Sequence, residues 1–430
     1  MESNNINKLE NALNQRKDLD DWRFTFSKGS AVNIGMEVSC IGSPYSPPTI
    51  NEEFSANLYL IWKDRKVSNV TLKPHHFDNL YEYLSQFKED SFEDKDAAKI
   101  LEPKEFPLVK TYDPNVAQLF KDASPLFEII EMYKSVLGRA QSKDLEAKAS
   151  ASEGLTSIRS STGMDSQYSW TKMGVYCSAK SIFFERESKA NIITMERAKE
   201  LANRALDLYE KSKMKVEMPS GNTEVIMGPD LVSSLMGHFI SQHLSGRNIA
   251  EGNSRYIRDD FFQAKKILSD KINFVLNGIE DYESSSAPFN SEGIPSGYHE
   301  LIKNGTLRKP LADVKWAAKL SMEPVGMGKT YLTIEDAVPL DKLISGTKDG
   351  IIIYGALGVN QQPHLKGDYS LPAYLANRIK NGKAIGSGKV SITGNIFNDL
   401  NQKNVGFAFD PLHPKHIAYK INGIVYPLKD

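Results

Sequence analysis

Apolar residues recur at helical spacing in some stretches of the chain and alternate with polar residues in others. Helical spacing predicts helices over residues 3–16, 74–92, 114–140 and 194–213, and Thr194 is the expected N-cap of the last. That last helix carries the clearest apolar stripe, formed by Ala198, Leu201, Ala202, Ala205, Leu206 and Tyr209. One face of this helix is therefore expected to lie on a core.

Strand-forming residues dominate the stretches between these helices. Residues 23–72 contain two strand-like runs separated by a proline-rich break, and residues 143–185 contain strands joined by a turn at Gly163. From residue 316 onward, short β-like runs are broken by glycines. The pattern predicts an α+β protein with an N-terminal mixed sheet and helices. The C-terminal part is predicted to be a strand-rich antiparallel sheet or barrel-like domain.

A chain of 430 residues is too long for one ordinary core, so at least two domains are expected. The segment MPSGNTEVIMGPD combines proline, glycine and polar residues before a short apolar strand, which is typical of a boundary. We therefore predict an N-terminal α+β domain over residues 1–218 and a C-terminal β-rich domain over residues 219–430.

Composition narrows the class of protein. The 53 basic and 54 acidic side chains give a net charge of −1, so we expect neither nucleic acid nor a membrane as partner. The N-terminal residues lack a signal-peptide pattern, and no apolar run is long enough to span a bilayer. The two cysteines, Cys40 and Cys177, argue against a disulfide framework, and Cys177 is expected to be a buried apolar residue. A soluble cytoplasmic protein is predicted.

The stretch SSLMGHFISQHLSGRN places His238 and His243 on a predicted amphipathic helix. On an ideal α-helix, side chains at i and i+5 point about 140° apart, so one metal ion could bind both only after a distortion such as a π-bulge. A hydrolytic zinc site also needs a third protein ligand and an acid–base residue. Phe239 cannot act as that base. We interpret the pair first as helix histidines with unrelated hydrogen bonds.

Two other features of the sequence invite a functional interpretation that the residues do not support. The run EPVGMGKTYL ends like a phosphate-binding loop, but Glu323 stands where that loop needs its first glycine. A glycine-rich turn is the better account. Four further histidines are predicted to be surface or turn residues: His75, His76, His413 and His416.

Residues 350–400 carry the most specific motifs of the chain. Gly367-Asp368-Tyr369-Ser370, Asn381-Gly382-Lys383 and Thr393-Gly394-Asn395 follow one another at intervals that resemble the landmarks of the TldD/PmbA family. This family comprises zinc peptidases and relatives once described as modulators of DNA gyrase. The resemblance extends over most of residues 140–400.

The resemblance also separates the two branches of that family. The zinc branch has a His-Glu-x-x-x-His helix and a late cysteine as third ligand, whereas the PmbA branch, also called TldE, lacks both. Here Phe239 replaces the glutamate, and no cysteine follows Cys177. The chain is therefore similar to the PmbA branch, for which the resemblance implies no catalytic residue, no metal ligand and no cofactor.

For that branch, the resemblance implies a subunit of a peptidase that acts on extended or leader-type peptides. Its partner would be a zinc-bearing TldD-like subunit in a heterodimer, or a second copy in a homodimer. Residues 293–305 and 364–371 are expected to face the peptide cavity. The candidate residues are Gly297, Tyr298, Gly367, Asp368, Tyr369, Ser370 and Asn395. Gly367, Asp368 and Asn395 also suit tight turns for purely local reasons.

Two alternatives to the partner subunit remain. One is a divergent, active zinc metallopeptidase that uses His238 and His243, with zinc as its cofactor. Its third ligand would be an acidic residue such as Glu251, Asp259 or Asp260. The other alternative is a homodimeric protein that binds a peptide or a small molecule.

Overall fold

A long antiparallel sheet organises the first half of the chain. The computed structural model describes residues 2–38, 43–142, 144–180 and 182–428, so Cys40 lies outside the described residues. Seven strands of the described residues form this sheet in the order β4-β3-β2-β1-β5-β6-β7. The strands are β1 (Leu19–Glu37), β2 (Tyr45–Trp62), β3 (Lys66–Leu72), β4 (Phe92–Glu93), β5 (Leu145–Ser160), β6 (Asp165–Ala179) and β7 (Phe184–Lys189). The helices are α1 (Glu2–Asn14), α2 (Leu80–Glu89), α3 (Pro114–Gln118), α4 (Ser124–Leu137) and α5 (Met195–Lys213).

Buried apolar residues at alternate positions of β1 explain how the helices cover one face of this sheet. Phe24 and Phe26 pack with α1 and α2 at one end, while Val32 and Ile34 pack with α4 and α5 at the other. Residues two apart on a strand share a face, so both helix pairs lie on the same side of the sheet. The predicted cap is confirmed, since the Thr194 side chain accepts the backbone N–H of Arg197. The predicted apolar stripe of α5 is buried at Ala198, Leu201, Ala202 and Ala205.

The second half is built round a closed barrel. Strand β18 pairs with β16 on one side and with β8 on the other, so β8, β14, β15, β16 and β18 form a ring. A smaller sheet has the order β11-β10-β9-β12, and β13 and β17 extend the barrel sheet. The strands are β8 (Gly221–Met227), β9 (Ile272–Asn277), β10 (Tyr298–Lys303), β11 (Thr306–Leu307), β12 (Lys329–Ile334), β13 (Val338–Pro339), β14 (Asp349–Ala356), β15 (Asp368–Lys380), β16 (Lys383–Asn395), β17 (Gly406–Phe409) and β18 (Ile417–Pro427). The helices are α6 (Pro229–Leu235), α7 (Gln242–Leu244), α8 (Gly246–Ala250), α9 (Arg258–Phe262), α10 (Val314–Leu320), α11 (Leu340–Ser345) and α12 (Ile396–Leu400).

The predicted α+β class and the barrel-like second half are confirmed, but the barrel is not wholly antiparallel. Strands β8 and β14 pair in parallel, as do β13 and β17. Parallel neighbours need a long crossover connection, and the residues between β8 and β14 supply one. Residues 251–310 contain β9, β10 and β11.

The run EPVGMGKTYL, which ends like a phosphate-binding loop, packs closely on neighbouring backbone. A Cβ atom on Gly328 would lie 2.5 Å from the carbonyl carbon of Asn277, and one on Gly326 would lie 2.7 Å from the carbonyl oxygen of Pro295. The glycines therefore let residues 326–328 lie directly on neighbouring backbone, whereas the glycine-rich turn predicted there is not formed. The predicted domain boundary at residues 218 and 219 falls between α5 and β8 and stays a prediction. Among the described residues, no helix is both long and apolar enough to cross a bilayer.

The hairpin between β15 and β16 depends on a two-residue turn with positive φ at both positions. Asn381 has φ 50 and Gly382 has φ 76, and a Cβ on Gly382 would lie 2.6 Å from the carbonyl oxygen of Ser345. We expect Gly382→Ala to lower the free energy of unfolding by about 1–3 kcal/mol, measured by urea denaturation. Gly138→Ala is the matched control, because Gly138 has helical φ and nothing within 4 Å of the added Cβ. Equal stability of the two variants would contradict this role of the turn.

Candidate functional site

The two-histidine helix is distorted in the way that its i+5 spacing requires. Residues Met236–Ser241 form a π-helical segment between α6 and α7, so the helix widens at the point where His238 and His243 are placed. Such π-segments are often found at functional sites. The helix starts directly after β8, where the N–H of Gly228 donates to the carbonyl of Ile353 in β14. The barrel therefore sets the position of both histidines.

His243 has both ring nitrogens engaged within the chain. The side chain is 0% exposed. Its Nδ1 accepts the backbone N–H of Arg255 at 3.2 Å, so its Nε2 carries the proton and donates to the carbonyl oxygen of His364 at 3.0 Å. Burial lowers the pKa of His243 to about 4. The imidazole is thus neutral, with its tautomer set by its two partners.

His238 is directed at the same loop. Its Nε2 lies 2.8 Å from the carbonyl oxygen of Gln362 and donates to it. The His364 ring stands beside both, with centroids 6.2 Å from His238 and 5.6 Å from His243. The carbonyls of residues 362 and 364 therefore lie where the two Nε2 atoms point. Phe239, in the place of the family's glutamate, is buried in the core.

These residues do not fit a zinc ion. Neither nitrogen of His243 offers a free lone pair, because one accepts a hydrogen bond and the other is protonated. Two of the three acidic candidates have other partners: Glu251 pairs with Arg247 and Asp260 pairs with Lys265. Within the described part of the chain, no group of three or more His, Cys, Asp or Glu side chains is placed to hold a metal.

A large cleft of about 970 Å³ opens between the two halves of the chain. Its floor is the face of the first sheet opposite the helices, with Ser150, Gly174 and Tyr176 exposed to the cleft. Strand β7 is the last strand of that sheet and forms one side. Residues 283–285 and α6 of the second half form the other. The hydroxyls of Ser188 and Ser285 are buried there without a hydrogen-bond partner.

An ion-pair network joins the two halves along this cleft. Arg204 of α5 binds both Glu185 of β7, at 3.1 Å, and Asp410 of the second half. His413 Nε2 lies 3.2 Å from Glu185 Oε2, and its ring stacks on that of His416. The sequence predicted both histidines to be surface or turn residues. They lie in the turn segment 412–416, which also lines the cleft wall, and burial lowers the pKa of His416 to about 4. No local pattern could have shown this, because the partners lie far apart in sequence.

The predicted cavity-facing residues lie elsewhere. Tyr369 points into the barrel and donates to Asp399, and burial raises the pKa of that carboxyl to about 6. Asp368 is exposed and Asn395 is half-buried, and the Asn395 amide donates to Asp368 at 2.8 Å. Gly367 takes a φ of 78, as a local turn requires. The remaining candidates are Gly297, Tyr298 and Ser370.

Tyr298 is 49% exposed at the start of β10, and Gly297 precedes it. Ser370 is an exposed residue of β15. None of the seven candidates is among the residues that line the cleft. Contact between these residues and a peptide therefore stays a prediction. Local structure alone explains two of them, because Gly367 occupies a turn position with positive φ and the Asn395 side chain caps α12.

Comparison with known proteins identifies the class of domain that contains the two-histidine helix. Residues 220–413 match the family described as PmbA/TldA metallopeptidase C-terminal domain. This segment contains the two-histidine helix and most of the barrel. Residues 220–413 therefore form a domain of the PmbA/TldD metallopeptidase type, and the resemblance drawn from the motifs of residues 350–400 is confirmed.

Individual relatives agree with this family. The chain is 24% identical over 352 residues to an uncharacterized protein of Methanocaldococcus jannaschii, which covers 78% of this chain and 80% of that protein. It is 24% identical over 203 residues to the zinc metalloprotease TldD homolog of Saccharolobus solfataricus, covering 42% of this chain and 43% of that one. The solved structure of TldE from Thermococcus kodakarensis matches with a TM-score of 0.81 and 15% identity, over 98% of this chain and 99% of that chain. At this identity the match establishes the fold.

The geometry of His243 predicts that the chain binds no zinc in stoichiometric amount. After dialysis of the purified chain against trace zinc, elemental analysis should find far less than one zinc per chain. The matched control is the His238→Ala/His243→Ala double variant, which should give the same low value. About one zinc per chain, lost in the double variant, would instead establish the divergent metallopeptidase.

The lowered pKa of His243 predicts a pH dependence of stability. Because the folded state accommodates the neutral ring, the stability this burial contributes is present above pH about 6.5 and is lost as the pH falls toward about 4. Between pH 7 and pH 5 the wild type should lose about 2 kcal/mol more unfolding free energy than His243→Asn, by urea denaturation. The pKa values of His416 and Asp399 are also shifted, but both residues are present in the wild type and in His243→Asn, so their contributions cancel in the comparison. Parallel pH curves would contradict a neutral buried His243.

Proposed function

We propose that this chain is the zinc-free, PmbA/TldE-like subunit of a peptidase that acts on extended or leader-type peptides. In this assignment a zinc-bearing TldD-like subunit supplies the cutting group, and this chain supplies binding surface. One observation carries the proposal. Both ring nitrogens of His243 are hydrogen-bonded, one to the N–H of Arg255 and the other to the carbonyl oxygen of His364, and Phe239 occupies the place of the catalytic glutamate. A chain arranged in this way cannot hold or activate a hydrolytic water on zinc.

The cleft supports binding of an extended peptide. Strand β7 is an edge strand, and the N–H of Ala190, directly after it, donates outward to Tyr282. Because backbone groups alternate in direction along a strand, the N–H groups of Ser188 and Arg186 point to the same outer side. An extended peptide can add to such an edge through main-chain hydrogen bonds. Lys189 and Glu283 already form an isolated antiparallel β-bridge at this edge.

The side chains round this edge suit a binding mode that tolerates varied sequences. The floor residues Ser150 and Gly174 are small, so a peptide backbone can approach the sheet closely. Several charges of the cleft are paired within the chain: Lys189 with Glu283, Arg197 with Glu187 and Lys415 with Glu280. Main-chain contacts therefore supply the affinity. The same cleft would serve a homodimeric peptide-binding protein, and cytoplasmic localisation stays a prediction.

The proposal predicts no cleavage by this chain alone. Mixed with a purified zinc-bearing TldD-like relative, it should promote cleavage of an unfolded leader-type peptide, measured by mass spectrometry, and the two chains should co-elute. Peptidase activity of this chain alone that disappears in the His238→Ala/His243→Ala variant would establish the alternative zinc enzyme. Peptide binding by a stable homodimer that does not interact with the relative would favour the other alternative.

A proline at residue 186 tests the edge of β7 within the same assay. Arg186→Pro removes an outward N–H while leaving the hydrogen bonds to β6, as edge strands tolerate. It should weaken binding of a fluorescein-labelled unfolded peptide by about tenfold. Arg186→Ala is the matched control, since it removes the same side chain but keeps the N–H. Equal losses in both variants would show that the side chain, and not strand addition, binds the peptide.

A further inference from the structure

Lys329 is a residue of the cleft to which the main-chain binding mode gives no role. It is the lysine of the run EPVGMGKTYL and the first residue of β12, and it follows Gly328, which packs on neighbouring backbone. Its side chain is half-buried and lines the cleft. The other lysines of the cleft all form ion pairs: Lys148, Lys189 and Lys415. Lys329 forms none with the residues that the structure describes, so its ammonium group can bind a ligand.

Lys329 adds to a positive charge that the nearest buried carboxylates do not balance. Glu283 lies 3.3 Å from Lys189 and 3.5 Å from Lys415, and Lys415 also pairs with Glu280. Burial raises the pKa of Glu283, but the charges of the three lysines, Lys329 first among them, lower it below its usual value. Three ammonium groups thus stand beside two carboxylates, which leaves one positive charge in excess.

The other titratable groups beside Lys329 do little to offset this excess. Burial lowers the pKa of His416 to about 4, so its ring is neutral at pH 7. Asp230 lies 3.8 Å from His416, but its side chain is 67% exposed, and water screens its charge. The Glu283 side chain, by contrast, is 6% exposed. This end of the cleft therefore favours an anionic group.

The free edge of β7 leads to this group of lysines. Lys189 and Glu283 form an antiparallel bridge, and the N–H of Ala190 donates to the carbonyl oxygen of Tyr282 at 2.9 Å. A peptide that adds along β7 can therefore pair only as far as Ser188. Its pairing ends where residue 283 lies, beside the three lysines.

We propose that Lys329 binds a carboxylate of the peptide at the point where pairing with β7 ends, and so selects peptides that carry a carboxylate there. An ammonium group and a carboxylate form a charge-assisted hydrogen bond, which is stronger in a half-buried place than in bulk water. A C-terminal carboxylate and an acidic side chain both supply this group. The inference rests on the proposed function, and it adds a preference to main-chain contacts that tolerate varied sequences.

Matched peptides test the proposal on the unaltered full chain. The probe is a fluorescein-labelled unfolded peptide that ends in glutamate, and its affinity is measured by fluorescence anisotropy. Three further peptides carry a C-terminal amide, glutamine in place of the glutamate, or both changes. The wild type should bind the first peptide about tenfold more tightly than the peptide with both changes. The single change that causes the loss identifies which carboxylate is bound.

Variants at residue 329 assign this preference to the lysine. Lys329→Met keeps much of the side chain without its charge, and Lys329→Gln is a second neutral variant. Both should bind all four peptides with the same affinity, because the variant and the peptide changes remove one shared contact. Lys329→Arg should restore the preference, and added salt should reduce it in the wild type. Lys104→Met is the matched control, since Lys104 is an exposed lysine outside the cleft, and it should keep the preference.

Circular dichroism establishes that each variant is folded before affinities are compared. Equal affinity of the wild type for all four peptides would overturn the proposal, and so would an unchanged preference in folded Lys329→Met and Lys329→Gln. In both cases weaker binding by Arg186→Pro would leave the proposed function standing. A wild type that binds none of the peptides would overturn strand addition at β7, and the role of Lys329 with it.

Discussion

Closure of the barrel by β18 is the constraint on which the rest of the second half depends. This last strand pairs with β8 through Tyr419 to Val425 and with β16 through Ile424 to Pro427, which removes two open sheet edges at once. The closed ring buries its inward side chains in one large core. Because the two-histidine helix starts directly at the end of β8, the ring also sets where that helix can lie.

Neighbouring loops engage both histidines of the two-histidine helix. Its π-helical segment has the spacing that could bring two imidazoles together. The carbonyls of residues 362 and 364 take the Nε2 protons, and the N–H of Arg255 takes the remaining lone pair of His243. A neutral imidazole with two hydrogen bonds inside the core is stabilising, whereas a charged or unpaired one would cost several kcal/mol.

The two halves meet along paired charges at the cleft and through small apolar clusters elsewhere. Arg204 links Glu185 to Asp410, and Lys189 lies 3.3 Å from Glu283 across the same gap. Such polar contacts link the halves, and in the described sheet the outer edge of β7 is paired only through the isolated bridge between Lys189 and Glu283. The charges that position the walls are therefore already paired within the chain.

The sequence by itself determined the α+β class, the capped helix α5, the turn at Gly163 and the resemblance of residues 350–400 to the PmbA/TldD family, because these depend on residues close together in the chain. The missing glutamate at Phe239 was equally visible. Only the tertiary structure decided that His243 is bonded to a loop more than a hundred residues away, that Tyr369 lies inside the barrel, and that His413 lines a cleft. Residue spacing describes one strand or helix at a time, whereas burial and hydrogen-bond partners depend on which elements the barrel and the long sheet bring together.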